Sequence, residues 1–192
     1  MAANYIKQEM FKKTIAKLNR ACNSGYFYEA IMLDYNLVED RLNEFLMSVG
    51  VVNASKDGLI VTKKARNSIR KLLSLPDTAQ FGIGKISIKL TILQKLVDFD
   101  KGDIFLEDLH SILIKKVGAE NINSLIQKIE NWKNERNVFV HGLMSRVPDE
   151  CDETVKELAF NGKLLFRELD KYCRRIEKCG IRKKYRIQPY NN

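Results

Sequence analysis

Apolar side chains recur at intervals of three and four along most of the chain, the spacing that gives a helix one buried face. In residues 4–23 they fall at Ile6, Met10, Ile15, Leu18 and Cys22, with Lys7, Lys12, Lys13, Lys17 and Arg20 on the other faces. Asn23-Ser24-Gly25 ends that segment. Residues 26–49 repeat the pattern through Phe27, Ala30, Ile31, Leu37, Val38, Leu42, Phe45, Leu46 and Val49, and carry Asn36, Glu39, Asp40 and Asn43 on the polar side until Gly50. Residues 51–61 read as a loop around Lys56-Asp57-Gly58, and Thr62 as the cap of a third helix reaching about Leu73. A turn-rich joint runs from Pro76 to Gly84.

The following stretch fits two periods. Ile86, Ile88, Leu90 and Ile92 alternate with Ser87, Lys89 and Thr91, as in a strand. Ile86, Leu90, Leu93 and Val97 fit a helix equally well, and the apolar pattern continues to Phe99, which is long for a strand. A helix is therefore expected. Phe105–Val117 and Ile122–Leu143, parted near Gly118, read as two more. Residues 151–179 read as the last, with Val155, Leu158, Phe166, Leu169, Tyr172 and Ile176 inward and Asn161-Gly162 as a bend. The expected architecture is all-α, an up-and-down bundle of six to seven helices over residues 1–179, followed by a basic tail at 180–192.

Composition narrows the partners. A chain of 192 residues, 45% hydrophobic, with ten Gly and three Pro, has the material for a packed core and few of the turns of a sandwich or barrel. Net charge is +9 and uneven: Lys171, Arg174, Arg175, Lys178, Arg182, Lys183, Lys184 and Arg186 crowd the end, and Lys63, Lys64, Arg66, Arg70 and Lys71 form a smaller run. Such clusters suit RNA, whose neutralised phosphates release counterions; a merely solubilising helix face is the alternative. Cys22, Cys151, Cys173 and Cys179 form no Cys-x2-Cys pair and have no His at ligand spacing, which argues for reduced thiols, against zinc, and for a cytoplasmic protein. No apolar leader or membrane-length apolar run is visible, so no membrane partner is expected.

Candidate chemistry concentrates in Glu130–Leu143. Asn134, Asn137 and His141 share one helix face, and Glu130 extends it. Arg136 stands five residues before His141, about 140° away at roughly 100° per residue. His141 transfers protons near neutral pH; Arg136 offers a permanent charge and a fork of donors to phosphoryl oxygens; Asn137 can orient the imidazole or bind phosphate. Those groups suit cleavage of RNA by its own 2′-OH, which needs no metal or cofactor. His110 has Phe105 where an arginine would stand five residues earlier, and reads as an ordinary boundary histidine.

Arg136-Asn137-Val138-Phe139-Val140-His141 fits the pattern Arg-x4-His in its Arg-Asn-x3-His form. At these residues the chain resembles HEPN domains, the "higher eukaryotes and prokaryotes nucleotide-binding" helical superfamily. Tyr28-Glu29-Ala30-Ile31 and Leu37-Val38-Glu39-Asp40-Arg41-Leu42 resemble their first long core helix. Many members are metal-independent endoribonucleases of toxin–antitoxin, antiviral and CRISPR systems. The resemblance implies Arg136, Asn137 and His141 as catalytic residues, with Glu39 as an acidic support beside the motif helix and Asn134 along the polar stripe. It also implies a homodimer in which two motifs line one cleft, and an antitoxin or other regulatory partner. Some HEPN toxins carry a modifiable Tyr two residues after the motif His; here that position is Leu143, which argues against tyrosine-directed control. Two other readings stand beside this one: a non-catalytic HEPN module binding RNA or nucleotide, and a helical interaction protein.

Overall fold

The computed structural model describes residues 2–55, 58–76, 82–142 and 152–177. Among them it is all-α but for one hairpin. The seven helices are α1 (Ala2–Asn23), α2 (Phe27–Ser48), α3 (Lys63–Leu72), α4 (Ile86–Val97), α5 (Ile104–Lys116), α6 (Ala119–Gly142) and α7 (Asp152–Glu177). No helix among the described residues is long and apolar enough to cross a membrane. Residues 178–192, and with them the basic tail, lie outside the described residues, as do Cys151, Cys179 and Leu143.

The helix boundaries follow from local chemistry. Thr62 caps α3 as expected: its Oγ1 accepts from the Ala65 N–H at 3.2 Å and donates to the Gly50 carbonyl at 3.0 Å. Asp103 caps α5 by accepting from the Leu106 N–H at 3.1 Å, and its other oxygen accepts from Ser68 Oγ at 2.6 Å. Gly118, at φ +92°, takes the left-handed conformation that closes α5 and allows α6 to begin one residue later.

Two stretches test the sequence periods. The expected loop at 51–61 is instead an antiparallel hairpin, β1 (Val52–Ser55) with β2 (Gly58–Val61), in the register Val52↔Val61. Val51 and Val52 are fully buried, so a short apolar run here anchors paired strands. Over 86–97 the helix prevails as expected. Ile86, Leu90, Leu93 and Val97 are buried along with Lys89 and Leu96, whereas Ile88, which a strand would bury, is only partly covered.

The chain forms two compact units, each with its own buried residues. The first comprises residues up to Asp40 with Lys128–Glu168; the second comprises Arg41–Gln127 with the residues from Leu169 onward. In the first, Leu18, Ile31, Val38, Ile129, Trp132 and Leu158 are among the buried side chains; in the second, Phe45, Leu46, Leu93, Leu109, Leu125 and Ile176. Each such Leu, Ile or Phe contributes about 1.5–3 kcal/mol through removal from water. In the second unit a charged group is worked into the packing as well: Arg41 Nη1 and Arg174 Nη2 bind the two oxygens of Asp170 at 3.0 and 2.6 Å.

Gly162 does not interrupt α7. A Cβ at this position would stand 2.8 Å from the Asp34 Cβ and 2.8 Å from Trp132 Cζ2. The glycine therefore serves close approach of α7 to α2 and α6 within the first unit, where the sequence suggested a bend.

Candidate functional site

The motif residues all lie in the first unit, on the last turns of α6. Helix α6 is unbroken from Ala119 to Gly142, so the angular splay between Arg136 and His141 persists in the folded chain. The two side chains meet different surroundings. Arg136 is half-buried and turns towards α2: its guanidinium carbon sits 4.5 Å from the centre of the Tyr35 ring. Nη1 donates to Asn137 Oδ1 at 3.2 Å, and Nη2 donates to Met32 Sδ at 3.4 Å. Its Nε is buried without a hydrogen-bond partner among the described residues. His141 is exposed, in the final turn.

The support beneath Arg136 is aromatic and layered. Tyr35 stacks on Trp132, with ring centres 6.5 Å apart and planes 28° from parallel. Trp132 is itself held at its edge, its Nε1–H donating to the Leu158 carbonyl at 2.8 Å. A cation above such a stack gains about 0.5–2 kcal/mol from the ring quadrupole, more as water is excluded. Tyr35 did not stand out in the sequence. Its spacing from Met32 and Glu39, three before and four after, places it on the helix face that those residues share, and that spacing was a usable signal.

Among the described residues, Arg136 meets Asn137, Met32 and Tyr35, and Glu39 stands further along α2. The pairings Tyr28 with Phe139, Met32 with Arg136 and Tyr35 with Trp132 run in opposite order along α2 and α6. The helices are therefore antiparallel here, and Glu39 lies one turn past Tyr35, away from the motif. At about 1.5 Å per residue, that leaves it more than about 15 Å along the axis from His141. Asn137 is half-buried and engaged by Arg136, while exposed Asn134 lines a different surface. That surface is a cleft of about 530 Å³ between α6 and α7, which also includes Glu135, Val138, Thr154 and Glu157. A neighbouring cleft of about 620 Å³ shares Glu135 and Asn161 and extends past Trp132 to Lys128 and Glu168. Arg136 and His141 line neither.

A buried acid stands behind the stack. Asp34 is fully buried on α2, and neither carboxylate oxygen has a hydrogen-bond partner among the described residues. Burial pushes its carboxyl up from 3.8 to about 8, with Lys163 pulling the other way. The same burial raises the Cys22 thiol, Lys163 opposes the rise, and Asp34 adds to it. An acid at this register, three residues after Ile31 and four before Val38, was visible in the sequence as a polar intrusion on a core face.

In the second unit, Lys171, Arg174 and Arg175 are exposed on α7, and Arg175 lies 5.7 Å from the Tyr172 ring centre. Lys178, Arg182, Lys183 and Lys184 fall outside the described residues. Among the described residues no three His, Cys, Asp or Glu side chains are grouped to hold a metal ion. No protein-family model, curated protein or solved structure matches the chain.

Proposed function

We propose that this chain is a metal-independent endoribonuclease of HEPN type, acting on RNA as a homodimer in the cytoplasm, in a toxin–antitoxin or antiviral setting. The observation that carries the reading is the pairing of a supported Arg136 with an exposed His141 one and a half turns further along the same helix. The Tyr35 ring and Asn137 fix the direction of the Arg136 guanidinium, whose planar fork of donors suits phosphoryl oxygens. The exposed His141 imidazole is accessible to a substrate and has the two ring nitrogens that proton transfer requires.

The reaction assigned to them is transesterification. The 2′-oxygen bonds to phosphorus as its proton passes to a base, the bond from phosphorus to the 5′-oxygen breaks, and an acid returns a proton to that oxygen. Arg136 stabilises the charge gathering on the phosphoryl oxygens, and His141 serves one of the two proton transfers. One chain holds a single motif histidine, splayed from Arg136. A second copy across a two-fold axis supplies another His141 and another Arg136. Asn137 holds Arg136, which makes it a positioning residue in this scheme.

Cleavage of RNA in EDTA tests the proposal. Wild type should leave 2′,3′-cyclic phosphate or 3′-phosphate ends, and His141→Ala or Arg136→Ala should lower the rate by about 10²–10⁴-fold with helix content kept. Strict dependence on magnesium with 5′-phosphate products rejects the mechanism. A second reading, a non-catalytic RNA-binding module, draws on the inward turn of Arg136 towards Met32 and Tyr35. RNA binding without cleavage under any metal condition selects it.

A further inference from the structure

Among the described residues, the second unit holds a cleft lined by cations. Lys115 and Lys116, in the last turn of α5, and Arg174 and Arg175, near the end of α7, line a space of about 290 Å³, with no acidic side chain in its lining among the described residues. Like charges gathered around one hollow repel one another, Asp170 offsets part of that through Arg174, and an entering anion is attracted to the cations. Two features hold the cations in place. The carbonyl-rich C-terminus of α5 favours Lys115 and Lys116 where they stand. Arg174 is tied at 2.6 Å to Asp170, whose other oxygen is taken by Arg41 at 3.0 Å, so this acid is shared between two guanidiniums.

We infer that Lys115, Lys116, Arg174 and Arg175 form a phosphate-binding cleft that seats the phosphodiester backbone of RNA. The ligand class follows from the donors. Two guanidinium forks and two ammonium groups suit tetrahedral oxyanions, and a backbone presents these in series without asking for base contacts. Lys171, exposed one turn before Arg174 and Arg175, continues the cationic face along α7. Lys115 and Lys116 are joined to the C-terminal basic cluster by folding alone, since α5 and α7 are far apart in sequence. The inference rests on the RNA-directed reading above and adds a second place where RNA is held.

The test uses the full chain and a 2′-O-methyl oligonucleotide, which cannot be cleaved by 2′-OH attack. Binding is titrated over a range of salt concentrations. Each phosphate neutralised on a single strand contributes about 0.7 to the slope of log K against log salt. Lys115→Gln with Lys116→Gln should reduce the slope by roughly 1.4 and weaken binding about tenfold at moderate salt, and Arg175→Gln should reduce the slope by roughly 0.7. Lys13→Gln with Lys17→Gln, exposed on α1, removes the same net charge elsewhere and should leave the slope nearly unchanged. Equal losses in the control pair, an unchanged slope in the cleft variants, or no binding by wild type would each overturn the inference. Wild type that binds the oligonucleotide with the expected slopes yet leaves ordinary RNA intact would retain the cleft and reject the nuclease.

Discussion

Asp34 carries a pH dependence whose sign can be worked out. In the unfolded chain its carboxyl ionises near 3.8; in the folded chain it holds its proton to about 8. Between those values the folded state binds more protons than the unfolded one, so stability falls as pH rises. The contribution is complete below about pH 4, is lost across the window and levels off above about pH 8. A difference of about four pH units sets an upper bound of roughly 6 kcal/mol. Asp34→Asn should remove this slope, although it leaves a buried amide that costs about 1–3 kcal/mol at every pH. Urea midpoints followed by circular dichroism at pH 5 and pH 9 check it: wild type should be clearly weaker at pH 9, the variant nearly equal at both. The acid was legible as a residue and illegible as a site. Its position on a core face is in the sequence, but the nearness of Lys163 and Cys22 is made by the packing of α1, α2 and α7.

At the scale of elements, the Tyr35–Trp132 stack is where α2 meets α6 beneath Arg136. Tyr35→Phe keeps the ring under Arg136 and should keep RNA cleavage within a fewfold of wild type. Tyr35→Ala leaves the guanidinium without its platform and should lower kcat by about tenfold or more, with KM less affected, since what is lost is orientation in the transition state. Equal effects of the two variants would assign the tyrosine to the core alone. The helices themselves were legible because their apolar periods run for ten residues or more; even α4 declared itself by length over a strand-like alternation. The hairpin was not. Its strands are four residues each, too short for a period, although Asp57-Gly58 between Val51-Val52 and Leu59-Ile60-Val61 is the kind of dipeptide that marks one. The place of Glu39 was hidden for a related reason: helical spacing puts it on the Tyr35 face, but only the antiparallel pairing of α2 with α6 shows which end of that face meets Arg136.

For the whole molecule, the decisive question is whether two chains build one cleavage site. His141→Ala and Arg136→Ala subunits, each inactive alone, should regain part of the cleavage rate when mixed and allowed to exchange, because one of the two clefts then receives an intact Arg136 and an intact His141. No recovery in a demonstrated mixed dimer would place both groups of each site in the same chain. Charge tells a different story at this scale. An excess of cations over acids was plain from composition, but that excess does not say where a ligand sits. The cleft between α5 and α7 needed the fold, since Lys115 and Lys116 belong to no long basic run.

Trp132 is the chain's single tryptophan, and its surroundings make it a built-in optical reporter. Its indole is hydrogen-bonded to Leu158, stacked on the ring that carries Arg136, and crowded with Asp34 against Gly162. Its emission therefore responds to two events without any label. Ionisation of Asp34 brings a negative charge beside the indole, so intensity or wavelength should step as pH passes through about 8, and the step should vanish in Asp34→Asn. An RNA phosphate drawing Arg136 off Tyr35 would loosen the other face of the stack. Excitation selective for tryptophan would then follow substrate arrival and proton loss in the same cuvette, on the unmodified protein.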